Sequence, residues 1–95
     1  MKGYRVEGDR IIFELEGHEE ADEVYVVGNF LGWELKEEWK MESSDGGWML
    51  EVDKGELGEG FKEFTFVVDG EWLDADQGAE NVNHCPGYGY RYTIE

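Results

Sequence analysis

Cysteine and proline are almost absent from this 95-residue chain, which contains one of each. The single cysteine, Cys85, excludes an internal disulfide. No apolar run approaches the roughly 18 residues that a membrane-spanning helix requires. The N-terminus has neither the basic start nor the apolar core of a signal peptide, so we expect a cytoplasmic location.

Basic residues are also few. Eight Lys and Arg stand against 24 Asp and Glu, which gives a formal net charge of -16. Phosphate backbones and anionic lipid head groups are bound through clusters of Lys and Arg, so nucleic acid and membrane are not expected partners. The excess of carboxylates is typical of a solvated, self-repelling surface, with a dedicated role in binding cations or a basic partner as the less favoured alternative.

Amphipathic helix patterns are missing as well. Only "WELKEEWKM", residues 33–41, could form a helical turn or two, whereas apolar and polar residues alternate in most other segments. Fourteen glycines indicate many tight turns. The length corresponds to one small domain, residues 1–95, with a thin core in which aromatic side chains supply much of the apolar area.

Alternation with a period of two is clearest in two segments. In "WMLEV" every second residue from Trp48 is apolar, and in "FKEFTFVV" Phe64, Phe66 and Val68 share a face while Thr65 points away from it. This pattern is typical of antiparallel strands with a buried face. We expect six apolar residues to be buried together: Val24, Val26, Trp48, Leu50, Phe64 and Phe66.

Turn signals separate the expected strands. The pairs Gly8–Asp9 and Asp69–Gly70 each lie between two apolar-bearing runs, as in a hairpin. Residues 29–46 are expected to form a long loop, and a polar loop precedes the final alternating run "YGYRYTIE". Short strands at this spacing predict an all-β antiparallel sandwich or small barrel.

No motif in the chain indicates catalysis. A nucleophile elbow, a phosphate-binding loop and a His-based nucleophile set are all missing from the sequence, and 24 scattered carboxylates make any acid pair uninformative. We therefore expect a non-enzyme without a cofactor. "DADQG", residues 74–78, resembles the start of a calcium loop but lacks the later ligands, and His84 with Cys85 offers too few ligands for zinc. We expect no metal site.

Several segments together resemble a known family of sugar-binding domains. They are "VYVVGNFLGW" at 24–33, "DGGW" at 45–48, "EFTFVVDGEW" at 63–72, and an Asn- and Gly-bearing loop before the last strand. They resemble the glycogen-binding module of the β subunits of AMP-activated protein kinase and of isoamylases and branching enzymes, the family 48 carbohydrate-binding modules. The resemblance covers roughly residues 24–94 and implies an immunoglobulin-like, early-set antiparallel β-sandwich.

The resemblance also implies a binding site. Trp33 in its loop and Trp72 after the two-residue turn would be platforms for sugar rings, while Phe30 packs inward and anchors the loop. An indole suits this role because a sugar ring has an apolar C–H face, whereas its hydroxyls require polar partners at the edge. Packing unrelated to ligand is the alternative for both Trp residues. Trp39 could widen the platform or pack beside Met41.

The sequence departs from the family pattern at the expected polar edge. Thr65 stands where the family has a lysine, and Tyr90 and Arg91 fall where it has asparagines. Asn81 and Asn83 lie upstream and could substitute only if the loop folds back. The candidates for polar contacts to sugar are therefore Thr65, Asn83 and Arg91, beside the aromatic candidates Trp33, Trp72 and Trp39.

Two functions remain open at this point. The first is non-catalytic binding of α-1,4-glucan such as glycogen, starch-like polymer or maltooligosaccharide, alone or on behalf of an appended or associated enzyme. The second is a protein-interaction or structural domain of the same fold that has lost the sugar site. Trp33 and Trp72 together favour the first, whereas Thr65 and "GYGYRY" favour the second.

Overall fold

A computed structural model describes residues 3–76 and 78–94 of the chain. The residues that it does not describe include Gln77 of the "DADQG" loop and Glu95 of the final alternating run. Within these ranges the chain forms nine strands: β1 Tyr4–Glu7, β2 Arg10–Glu16, β3 Val24–Gly28, β4 Glu42–Ser44, β5 Gly47–Asp53, β6 Lys62–Val68, β7 Glu71–Trp72, β8 Val82–Cys85 and β9 Gly89–Ile94. It also forms three short 3₁₀ turns, at Asn29–Leu31, Glu37–Trp39 and Lys54–Leu57.

The strands form two antiparallel sheets. The first sheet has the order β1-β2-β5-β4, and the second has the order β3-β6-β9-β8, with the short strand β7 also pairing with β6. Every strand pair is antiparallel. The predicted all-β antiparallel sandwich is confirmed, because the two sheets enclose one apolar core. None of the helical turns in the described ranges could cross a membrane, since each is too short.

The core lies between the inner faces of the two sheets. Phe13 of β2 meets Phe64 of β6 edge-on, with ring centroids 4.9 Å apart, and Tyr92 of β9 stacks on Phe64 at 5.2 Å. Such aromatic pairs stabilise a small core beyond the area that they bury. The predicted core is confirmed: Val24, Val26, Trp48, Phe64 and Phe66 are buried, and Leu50 is half-buried against them.

Both predicted hairpin turns are present. Gly8 and Asp9 connect β1 to β2, and Asp69 and Gly70 connect β6 to β7. Asp69 has φ 48° and Gly70 has φ 85°, the positive values that a tight turn between twisted strands requires. The Asp69 carboxylate additionally accepts backbone N–H bonds from Asp22 and Glu23, so this turn is also tied to the segment that leads into β3.

Two segments expected to be loops contain strands. Residues 29–46 include two short 3₁₀ turns and β4, which pairs with β5 across the turn at Asp45 and Gly46. The polar loop before the last strand contains β8, which pairs with β9. Both are three- or four-residue strands at a sheet edge, and they are rich in polar residues. The apolar alternation that reveals a central strand is therefore absent from them.

We expect Trp48→Ala to lower the free energy of unfolding by about 3–5 kcal/mol, which is a large part of the stability of a domain this small. Trp48 is buried on β5, and its indole Nε1 donates a 2.9 Å hydrogen bond to the backbone carbonyl of His18, so truncation removes both packing and that bond. Denaturant titration followed by circular dichroism measures the loss. Val6→Ala, an exposed position on the edge strand β1, is the control and should change stability little. Equal effects of the two substitutions would contradict this view of the core.

Candidate functional site

The outer face of the second sheet carries an open groove. Antiparallel partners point to the same side of a sheet, so the pairing of Val67 with Trp72 and of Asn83 with Arg91 places all four on this outer face. The groove measures about 680 Å³. We call it the aromatic groove, and it is lined by Trp33, Glu63, Trp72, Cys85, Gly87, Tyr88 and Arg91.

The loop after β3 brings Trp33 to this face. Gly28 ends the strand where a Cβ atom would lie 2.5 Å from the backbone oxygen of Glu63, so only glycine fits there. The side chain of Asn29 then fastens the loop to the start of β6, because its Nδ2 donates to the carbonyl of Phe61 at 2.8 Å and its Oδ1 accepts from Glu63 N at 3.1 Å. The backbone N–H of Trp33 closes the loop on Gly28 O at 3.0 Å.

Phe30 anchors the same loop from the inside. Its ring is half-buried against the core, with its centroid 5.3 Å from that of Trp39. Trp33 has φ 60°, a left-handed conformation that costs a bulky residue free energy. The surrounding bonds therefore hold a large aromatic side chain in a conformation that a glycine would adopt more easily.

Trp33 and Trp72 lie side by side. Their ring centroids are 6.4 Å apart, and their planes are inclined by 43°. Trp72 is 45% exposed on the two-residue strand β7, and Trp33 is partly exposed. The two indoles thus form a tilted apolar surface that solvent reaches.

Arg91 of β9 borders this pair. Its guanidinium carbon lies 5.7 Å from the centre of the Trp33 ring, within the range of a cation–π contact. One of its nitrogens donates to the carbonyl of Tyr90 at 2.9 Å and lies 3.7 Å from the carboxylate of Asp74. The side chain is 9% exposed, so packing determines its position while it still lines the groove.

Glu63 and Cys85 form the polar part of the groove wall. One oxygen of Glu63 accepts hydrogen bonds from Asn83 Nδ2 at 2.9 Å and from the Cys85 thiol at 3.4 Å. Burial raises the pKa of Cys85, the Glu63 carboxylate raises it further, and the positive charge of Arg91 partly opposes both. The thiol therefore stays protonated to a higher pH than an ordinary cysteine.

Three predicted site residues do not line the groove. Asn83 is exposed beside it, where its side chain is bonded to Glu63. Trp39 is buried in the core, with its ring centroid 5.9 Å from that of Phe13, so it packs inward and does not widen the surface. Thr65 lies on the outer face but is 0% exposed, and its hydroxyl donates to the carbonyl of Leu73 at 2.5 Å. The segment after β7 covers Thr65, so Thr65 cannot contact a ligand directly in this structure.

Sequence reasoning did not find Glu63, Cys85 and Tyr88 as groove residues. Glu63 lies two residues before Thr65 on β6, so the alternation of the strand places both side chains on the outer face. That alternation could have identified Glu63. Tyr88 lies between two glycines in "PGYG", a turn whose aromatic residue has no place in the alternation of either strand. No periodic pattern could have assigned it to this face.

The other clusters considered in the sequence have internal partners. Asp74 accepts from Tyr90 N of β9 at 3.4 Å, which ties the loop to that strand, and Asp76 accepts from Gly78 N at 2.9 Å within the loop. The ring of His84 lies 4.9 Å from that of Tyr90. Across residues 3–76 and 78–94, no group of three or more His, Cys, Asp or Glu side chains gathers where it could hold a metal ion.

A sequence profile of one family matches most of the chain. The family is described as the glycogen recognition site of AMP-activated protein kinase, and the match covers residues 11–85. Trp33, Glu63 and Trp72 lie within these residues, whereas Tyr88 and Arg91 lie beyond their end. Comparison with curated proteins gives no match.

We expect Cys85 to react slowly with iodoacetamide at mildly alkaline pH, because a raised pKa leaves less thiolate available at a given pH. The midpoint of the rate against pH should lie above the ordinary thiol value. Glu63→Gln should lower that midpoint, since it removes the negative charge beside the thiol.

Mass spectrometry of the alkylated chain gives these rates without ambiguity, because Cys85 is its single cysteine. Glu42→Gln, an exposed position on β4 of the other sheet, is the matched control and should leave the midpoint unchanged. A midpoint that moves equally in both variants would reflect net charge and not the contact with Glu63.

Proposed function

Since the chain belongs to the family of the glycogen recognition site of AMP-activated protein kinase, we propose that its aromatic groove binds α-1,4-linked glucan through Trp33 and Trp72. Modules of this kind bind carbohydrate without catalysing a reaction, and their partner is a polysaccharide. We propose that the two indoles are the stacking surface and that the ligand is glycogen, a starch-like polymer or a maltooligosaccharide. The proposal includes the role of delivering an associated enzyme to the polymer.

The pairing of Trp33 with Trp72 carries the proposal. Each indole offers a flat apolar face to the C–H side of one sugar ring, and at 6.4 Å apart the two can serve neighbouring rings of one chain. Their planes are inclined by 43°, which suits an α-1,4-glucan because its successive rings turn along a helix. A flat β-linked ribbon such as cellulose cannot follow that inclination, so we expect no binding of it.

Polar groups at the groove edge supply partners for sugar hydroxyls. Arg91 provides guanidinium N–H donors, Glu63 provides carboxylate acceptors, and Asn83 is exposed next to Glu63. Arg91 takes the place of the charged donor that the family has at the position of Thr65. It reaches the groove from β9, the strand beside β6, and its contact with the Trp33 ring directs it toward the stacking surface.

The affinity should be modest. The groove is open, and Arg91 already donates to the Tyr90 carbonyl and lies near Asp74, so only part of its hydrogen-bonding capacity remains for a ligand. After the cost of ordering a flexible oligosaccharide, we expect dissociation constants between roughly ten micromolar and a few millimolar, or about -4 to -7 kcal/mol.

A second candidate function is an interaction or structural domain that has lost the sugar site. The burial of Thr65 favours it, because the surface has no charged donor at that position. Under this alternative the exposed indoles would contact another protein, since aromatic residues are enriched in such interfaces. The two functions differ in one measurable property, the response of the groove to maltooligosaccharides.

We expect Trp33→Ala and Trp72→Ala each to weaken binding of maltoheptaose and β-cyclodextrin by about 1–2 kcal/mol or more, because each removes one stacking face. Isothermal titration calorimetry measures the affinity, and thermal denaturation should show nearly unchanged melting temperatures because neither indole is part of the core cluster.

Phe61→Ala is the matched control for the loss of an exposed aromatic ring. Phe61 is 62% exposed and does not line the groove, so its removal should leave binding unchanged. If millimolar maltoheptaose changes neither the tryptophan fluorescence nor the amide chemical shifts of the unsubstituted protein, the glucan proposal fails. The interaction-domain alternative then takes its place.

We expect Arg91→Met to weaken maltoheptaose binding by about 1 kcal/mol, because it removes the N–H donors while retaining a long apolar stem over Trp33. Arg10→Met is the matched control. Arg10 is bonded to Glu51 and Asp53 on the first sheet, away from the groove, so its loss changes the net charge equally without touching the site. Similar losses in both variants would assign the effect to overall charge and contradict a direct contact by Arg91.

A further inference from the structure

The wall of the aromatic groove contains a carboxylate without a cationic partner. Glu63 lines the groove and is half-buried. Its Oε2 atom accepts hydrogen bonds from two neutral donors, Asn83 Nδ2 at 2.9 Å and the Cys85 thiol at 3.4 Å. In the part of the chain that the structure describes, no Lys, Arg or His nitrogen lies within ion-pair distance of this carboxylate. The negative charge of Glu63 is therefore uncompensated at the surface of the groove.

The positive charge in the groove is already matched by another carboxylate. Arg91 is the one Lys or Arg among the described residues that line the groove, and its side chain is 9% exposed. One of its guanidinium nitrogens lies 3.7 Å from the carboxylate of Asp74 and donates to the carbonyl of Tyr90 at 2.9 Å. An anion in the groove would therefore meet two carboxylates, those of Glu63 and Asp74, for a single guanidinium.

Cys85 shows how this wall treats a negative charge, since its thiolate would be an anion at the groove. Burial raises the pKa of the thiol first, the hydrogen bond to Glu63 and the charge of Glu63 raise it further, and Arg91 opposes these effects only in part. The wall thus disfavours an anion although a guanidinium is near. An anionic substituent on a bound sugar would meet the same carboxylate.

We propose that Glu63 makes the aromatic groove select uncharged stretches of α-glucan and reject rings that carry anionic ester groups such as phosphate or sulfate. The proposal rests on the glucan-binding function proposed above and adds a specificity for charge to it. A sugar hydroxyl can donate a hydrogen bond to the Glu63 carboxylate. An ionised ester offers only acceptor oxygens and carries the same sign of charge, so its contact with Glu63 is repulsive. A repulsive contact of this kind discriminates between otherwise similar ligands.

The short range of this contact distinguishes it from the formal net charge of -16. At about 0.1 M salt, exposed charges more than roughly 10 Å apart are largely screened, whereas a half-buried carboxylate beside the ligand is screened much less. Selection should therefore act ring by ring. A polymer with sparse ester groups would be bound at the stretches between them.

Glu63→Gln removes the charge and keeps the length and shape of the side chain. The amide oxygen of glutamine can accept the bonds that Asn83 and Cys85 now donate to the carboxylate. Glu42→Gln, at an exposed position on β4 of the first sheet, changes the net charge equally and is the matched control.

The test uses β-cyclodextrin and two derivatives, one with a sulfate ester and one with an amine at the 6-position of every ring. Because every ring is substituted, no orientation of the ligand keeps the charge away from the groove. Isothermal titration calorimetry should show the amine derivative binding the unsubstituted protein most tightly and the sulfate derivative most weakly. Glu63→Gln should reduce the ratio of neutral to sulfated affinity about three- to tenfold, and Glu42→Gln less than twofold. The ratio of amine to neutral affinity should fall in the same way, which gives the comparison even where the sulfate derivative binds too weakly to measure.

The outcomes separate this inference from the proposed function. If the sulfate derivative binds the unsubstituted protein as tightly as β-cyclodextrin does, the selection by charge is wrong and glucan binding stands. Equal changes of the ratios in Glu63→Gln and Glu42→Gln would assign the selection to overall charge and overturn the role of Glu63. If the unsubstituted protein does not bind neutral β-cyclodextrin at all, the proposed function fails and this inference fails with it.

Discussion

The burial of β6 on both of its faces is the constraint on which the rest of the structure depends. Phe64 and Phe66 fill the core from its inner face, while Thr65 and Val67 are fully covered on its outer face. A strand covered on both sides needs a second layer of residues outside the sheet. The segment after β7 contributes to that layer, because Leu73 accepts a hydrogen bond from Thr65. The loop after β3 and strand β7 each place an indole on the same face.

The surroundings of the arginine side chains differ between the first sheet and the groove. The chain carries a formal net charge of -16, and Arg5 and Arg10 lie in ion pairs on the outer face of the first sheet. Arg91 instead contacts Trp33 in the groove. A surface this acidic repels polyanions but exerts no net force on a neutral polysaccharide. The net negative charge is therefore compatible with the proposed ligand.

Much of the fold and part of the site could be predicted from residues alone. Alternation in β5 and β6, the Asp69–Gly70 turn and the motif spacing led to the sandwich and to the family, both of which are confirmed. The edge strands β4 and β8 could not be found, because short polar edges lack a periodic apolar signal. The position of Trp39 could not be predicted either, because the sequence does not show whether a tryptophan ring packs in the core or lies on a binding surface.

The sequence by itself determined which residues could face the core, where the chain turns, and the excess of negative charge, because these depend on local periodicity, glycine and composition. Only the tertiary structure decided which side chains meet. Trp33 lies against Trp72 and Arg91, Thr65 is covered, and Tyr88 and Cys85 border the same groove. These contacts join residues far apart along the chain, and sheet order together with the path of two loops brings them together.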